Sequence, residues 1–209
     1  MVINSYKLVY YELLSPKPVW PMQPNRITAI YNTMSRTIRN APDQHKNNLK
    51  EELLKIAEEF NRGAKNLLKA EDLYDFWFFQ KVGQLMKVEF YWMDASKQQR
   101  TRIELGLAQK YLNLIIKDWW CMSEEARIID VFALHAPFDN GMWNALWKVG
   151  LGRFASLRNG GFYVNLSKMD YLQYQQTLVS KELKARLNIP EELNRIETEQ
   201  VIWSRCIKG

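Results

Sequence analysis

Cysteine and histidine are almost missing from this chain: Cys121, Cys206, His45 and His135 are the only ones among its 209 residues. So few of them, so widely scattered, exclude a Cys-rich zinc site and a four-thiolate iron–sulfur cluster. They leave no disulfide framework and point to a reducing, cytoplasmic setting. Long apolar runs are lacking as well. The densest cluster, Phe76 to Phe79, is short and bounded by charges, and no stretch approaches the roughly 18 residues of a membrane span. No secretory leader is expected. The signatures of common enzyme classes are also missing, among them a Gly-x4-Gly-Lys-Ser/Thr loop, a Gly-x-Gly-x-x-Gly turn and a Gly-x-Ser-x-Gly elbow. With histidine so scarce, the chemistry left is that of lysine and carboxylate. The length fits one compact helical unit that can bury a core without staples.

What is present is helical periodicity. Ile27, Ile30, Tyr31, Met34 and Ile38 form one apolar stripe, on a helix opening near Asn25. Leu49, Leu53, Ile56, Ala57, Phe60, Ala64 and Leu67 form a second, with Lys50, Glu51, Glu52, Lys55, Glu58 and Glu59 as its solvated face. The aromatic stretch from Leu73 to Met93 reads as a buried helix, and Leu105 to Trp119 marks a long one over about 100–122. Ser167 and Asp170 open a helix of about 168–187, and Pro190, Glu191 and Glu192 look like the first turn of the last one. Strand signals are confined to 8–14 and 161–166 and are weak. Pro16, Pro18, Pro21 and Pro24 make 15–24 an extended connector around Trp20. The fold class is all-α.

The net charge of +6 is unevenly placed. No acidic residue lies between Asp139 and Asp170, while Lys148, Arg153, Arg158 and Lys168 do. Residues 97–117 hold Lys97, Arg100, Arg102, Lys110 and Lys117 against Glu104 alone. Two basic segments, one of them rich in glycine over 150–161, favour a nucleic-acid partner.

Two positions suit chemistry. Lys110 shares a helix face with Asn113, Leu114 and Lys117. Desolvation on an apolar helix and a second ammonium nearby are what prepare an amine as a nucleophile. Asp139 follows Pro137 and stands where an N-cap would start a helix of about 140–149. Taken singly, such a lysine usually snorkels and such an aspartate is usually only a cap.

Together they carry a resemblance. Gln109-Lys110, followed by Lys117 and then by Pro137-Phe138-Asp139, resembles the catalytic stretch of helix-hairpin-helix DNA glycosylases, closest to the archaeal-type 8-oxoguanine branch. The tail from Tyr171 through Asn188-Ile189-Pro190 to Glu199 and Trp203 is similar to the C-terminal helices of that branch. The likeness covers about 98–147 and 171–206. It implies a two-lobed helical fold with the site in the cleft between lobes, here approximately 25–150 against 1–24 plus 151–209. It further implies that Lys110 attacks C1′ of a flipped nucleotide while Asp139 activates the amine or steadies the sugar cation. Glu199, Trp203, Gln109 and Lys117 would line the base pocket, and Lys148, Arg153, Arg158 and Arg102 would hold phosphates. The implied partner is double-stranded DNA bearing a damaged or modified base, bound by a monomer that needs no cofactor.

Departures from the family pattern stand out. The Leu-Pro-Gly-x-Gly hairpin is replaced by Glu104-Leu105-Gly106-Leu107, the cluster cysteines of some relatives are absent, and the tail carboxylate is Glu199 rather than Asp. The altered carboxylate points away from plain 8-oxoguanine. A modified phage base, such as a glucosylated hydroxymethylcytosine, is the corresponding expectation, with a role in antiviral defence. The competing expectation is a non-catalytic helical nucleic-acid-binding or phage-related adaptor protein.

Overall fold

The computed structural model describes residues 30, 41–93, 97–123, 126, 131–154, 157 and 165–207. The helix expected near 27–38 (save Ile30), the connector 15–24, the weak strand 8–14 and Arg158 lie outside them. In chain order the described elements are α1 (Asp43–Leu67), α2 (Glu71–Leu85), β1 (Glu89–Met93), β2 (Gln99–Arg102), α3 (Leu105–Met122), α4 (Asn140–Lys148), α5 (Lys168–Val179), α6 (Lys181–Leu187) and α7 (Arg195–Ile202). A π-helical turn, Trp203–Ile207, follows. The architecture is mostly helical, as the periodicity implies. No described helix is long and apolar enough to cross a membrane.

The α1 stripe is buried as expected, from Leu49 to Ala64. Its charged face is only partly solvated: Glu59 accepts from the Trp77 indole at 3.1 Å and from Lys81 Nζ at 2.6 Å, and Glu52 accepts from Gln84. These bonds tie α2 to α1.

The expected helix over 73–93 stops at Leu85. Its last residues instead pair antiparallel with β2, Glu89 opposite Arg102 and Trp92 opposite Arg100, with a bulge between. Phe90 and Trp92 are buried while Glu89 and Met93 are exposed, a period of two that the dense aromatics conceal in sequence. The same hairpin removes 100–104 from the long helix, so α3 begins at Leu105. The helix expected over 168–187 also divides, at Ser180. Its hydroxyl donates to the Thr177 carbonyl at 2.8 Å, closing α5, and accepts from Leu183 N at 3.2 Å, opening α6. The last helix starts at Arg195 rather than near Pro190, because Asn194 and Glu197 form a reciprocal capping box. Of the weak strand expected over 161–166, residues 161–164 lie outside the described residues, and 165–166 pair with no strand among them.

Arg195 is the fastener of the buried C-terminal half. It is 2% exposed, donates to the carbonyls of Phe132, Ala133 and Gln175, and pairs with Glu71 on α2. Close by, His135 is 1% exposed among the rings of Tyr74, Phe78, Phe79 and Tyr171, with Nε2 at 2.9 Å from Asp75 Oδ1. Burial pushes the imidazole below its usual value, and the Asp75 carboxylate only partly offsets this. In the unfolded chain histidine titrates near 6.5. As pH falls through about 6.5 the unfolded chain therefore takes up a proton that the folded protein refuses, and stability drops by up to about 1.4 kcal/mol per pH unit. Urea midpoints compared between pH 7.5 and 5.5 should fall in the native protein. The fall should be smaller in His135→Gln; an unchanged slope would contradict this.

Candidate active site

The site is built on a polar ladder inside an otherwise apolar helix. Along α3 almost every side chain is buried, and Gln109, Asn113 and Lys117 recur on one face at one-turn spacing. Each needs a partner to be tolerated there. Asn113 Nδ2 donates to Gln109 Oε1 at 3.1 Å and to the Tyr171 hydroxyl at 2.9 Å. Lys117 Nζ lies 2.5 Å from Glu199 Oε2 on α7.

Gln109 places the aspartate. Its Nε2 donates to the Phe138 carbonyl at 2.5 Å and its Oε1 accepts the Phe138 N–H at 3.2 Å, as a neighbouring strand would. Gln175, on α5, does the same for Ala136, accepting its N–H at 2.9 Å and donating to its carbonyl at 2.8 Å. The Tyr174 hydroxyl donates to the Pro137 carbonyl at 2.8 Å, and its ring stacks on Phe138 at 3.9 Å. Pro137 has no N–H, so three side chains satisfy the backbone of a buried extended segment completely. That segment delivers Asp139 to the start of α4, where Oδ1 accepts from Met142 N at 3.1 Å as the expected N-cap. The other oxygen, Oδ2, is 3.0 Å from Lys110 Nζ.

Two ion pairs at different depths result. Lys110 and Asp139 are 13% and 16% exposed, whereas Lys117 and Glu199 are 5% and 3% exposed and lie deeper. Burial drives the Glu199 carboxyl above its ordinary value; Lys117 pulls it back, Asp139 raises it further and Lys110 lowers it. Glu199 therefore feels the other three charges of the site. The Tyr174 hydroxyl is held well above its usual value by burial and by the charges of Glu199 and Asp139, so it stays a donor. Among the described residues no group of three His, Cys, Asp or Glu is arranged for a metal ion.

The structure brings together Lys110, Asp139, Gln109, Lys117 and Glu199. Trp203 is one turn beyond Glu199, half-buried at the head of the π turn that touches α4. Lys148 is exposed at the end of α4, Arg153 is exposed just beyond it, and Arg102 is exposed on β2, remote in sequence from the other two. The Gln109 amide is fully engaged by backbone and by Asn113, so its observed part is to hold Phe138. Lys117 faces a carboxylate rather than the Lys110 ammonium expected to be its neighbour. Sequence reading missed Tyr174 and Gln175, whose only signal is a polar residue interrupting the Tyr171–Tyr174–Leu178 stripe.

Gln109→Ala should leave the Phe138 N–H and carbonyl buried without partners, at about 1–3 kcal/mol for each group. It should also loosen Asp139, and a misplacement near 1 Å can lower a catalysed rate about 100-fold. Urea unfolding and the rate of adduct formation at Lys110 would read both; a loss in neither would contradict the clamp.

No family model matches this chain, and neither a curated protein nor a solved structure matches it.

Proposed function

We propose that this protein is a DNA glycosylase that flips a modified or damaged base out of a duplex and cleaves its N-glycosidic bond. The observation that carries the reading is the Lys110–Asp139 pair, 3.0 Å apart and less buried than the Lys117–Glu199 pair it acts on. A buried ion pair is often no more stabilising than apolar packing would be, so two coupled pairs suit a functional site better than a structural one. The resemblance of Gln109-Lys110 and Pro137-Phe138-Asp139 to helix-hairpin-helix glycosylases supports the same chemistry.

In this reading Asp139 takes a proton from the Lys110 ammonium, and the amine attacks C1′ of the flipped nucleotide. The C1′–N bond breaks, and the base leaves with the bonding electrons and is protonated. Opening of the sugar ring converts the C1′ adduct to a protonated Schiff base. Water releases Lys110 from it, or β-elimination of the 3′-phosphate cuts the strand. Asp139 hands the proton it took from Lys110 to the departing base and, ionised again, steadies the positive charge left at C1′. The extruded base lies against Trp203 and meets the Glu199–Lys117 pair, while Lys148, Arg153, Arg158 and Arg102 hold phosphates. The two lobes with the cleft between them, the monomeric state and the cytoplasmic setting belong to this proposal. So does the substrate, a bulky modified base of phage DNA excised in defence.

The second reading is a non-catalytic helical nucleic-acid-binding protein. It is favoured by the bond from Met142 N to Asp139, which gives the aspartate a sufficient structural job. Incubation with phage DNA carrying modified bases, followed by mass analysis of released base, separates the two. Release by the native protein, and none by Lys110→Gln, supports excision. No release from any damaged or modified DNA favours the binding protein.

A further inference from the structure

The far end of α4 carries a second feature that the excision chemistry does not use. The helix closes on Gly150 at φ 77°, with Leu151 N bonded to the Leu146 carbonyl at 2.9 Å and Gly150 N to the Trp147 carbonyl at 3.0 Å. Arg186 caps the same end through the Val149 carbonyl at 2.5 Å. The chain then doubles back so tightly that a Cβ on Gly152 would lie 2.5 Å from Trp147 N, and the Trp143 indole donates to the Gly152 carbonyl at 3.0 Å. Between the helix and the returning segment lies a groove of about 600 Å³ lined by Trp143, Asn144, Trp147, Gly152, Arg153 and Phe154. Phe154 forms its link to the catalytic end, packing on Phe138 at 5.0 Å, next to Asp139.

The rim is unusual for a soluble surface. Trp147 is 60% exposed, beside exposed Lys148 and Arg153, within a stretch of chain that has no acidic residue from 140 to 169. A large exposed indole next to cations matches a flat π-face joined to an anion, and a rigid floor keeps the indole presented at little entropic cost. We infer that this groove is a subsite for one unpaired nucleotide of the DNA strand, its base stacked on Trp147, its edge met by the Asn144 amide and its phosphate held by Arg153. The inference rests on the DNA reading above and adds a position to it. With about 1.5 Å of rise per helical residue, Trp147 stands about 12 Å along α4 from Asp139. The subsite therefore takes a nucleotide other than the one that reacts, from duplex opened around the flipped base.

The test uses the full chain and two labelled DNAs free of modified bases, one fully paired and one identical but with a short unpaired bubble. Binding to them does not depend on whether excision occurs. The native protein should prefer the bubble. Trp147→Ala should weaken bubble binding by about 5- to 100-fold and paired binding far less, while Trp147→Phe keeps most of the preference. Arg153→Gln should weaken both and lower the salt slope by about one. Trp147 is mostly exposed, so its replacement leaves the fold in place, and unchanged helical circular dichroism checks this. Equal binding of the two DNAs by native protein, or an equal effect of Trp147→Ala on both, overturns the subsite. If Trp147→Ala abolishes the preference while no base is ever released, the subsite stands and excision falls.

Discussion

Replacement of Lys110 by glutamine is expected to lower base release by roughly a thousandfold or more, because it removes the nucleophile rather than tuning it. Stability should barely change. Lys110 is partly exposed, and glutamine can still reach the Asp139 carboxylate as a hydrogen-bond donor. The companion variant is Asp139→Asn. An asparagine oxygen can still accept from Met142 N, so the α4 cap survives, but the group can no longer take a proton from Lys110. Release should fall about 100- to 10,000-fold with a nearly native urea midpoint. In the binding-protein reading both variants leave DNA affinity and every other readout close to native.

The second large effect concerns stability. Lys117→Met leaves Glu199 buried and charged with its principal partner gone, which should cost about 3–5 kcal/mol. For a chain of this size that corresponds to a thermal midpoint lower by about 6–20 °C. The sign of its pH dependence follows from Glu199, whose folded carboxyl already titrates above its ordinary value. As pH falls through that raised value the folded protein takes up a proton that the unfolded chain does not bind until about 4.3, so the deficit should shrink on acidification. The double variant Lys117→Met with Glu199→Leu should recover most of the loss, since two apolar groups need no partner. A single variant as stable as native protein would contradict the buried pair.

How much of this is legible in sequence depends on which interaction decides each feature. The α1 stripe and the Asp139 cap are local patterns, and both stand where periodicity and capping rules put them. The β1 strand hides in the sequence because Phe90 and Trp92 alternate inside a stretch aromatic on several sides, which suits a buried helix equally well. Ser180 carries a capping signal inside a stretch expected as one helix from Ser167, and Asn194 carries one that lies beyond the first-turn signal of Pro190, Glu191 and Glu192. At the site, the Lys110–Asp139 approach came from a resemblance rather than from spacing. The Lys117–Glu199 pair joins residues 82 positions apart, beyond any local rule. The double clamp of Gln109 and Gln175 on 136–138 depends on three elements converging on one extended segment, and a single buried glutamine announces none of it.

The central claim is that the Lys110 amine becomes covalently bonded to a deoxyribose carbon. Borohydride reduction during incubation with abasic-site duplex, followed by tryptic peptide mapping, tests it at the atom concerned. An adduct on Lys110 blocks cleavage there, so the account predicts a DNA-linked peptide running from Ile103 to Lys117 in the native protein and no adduct in Lys110→Gln. An adduct mapped to another lysine, or none in the native protein, would contradict it.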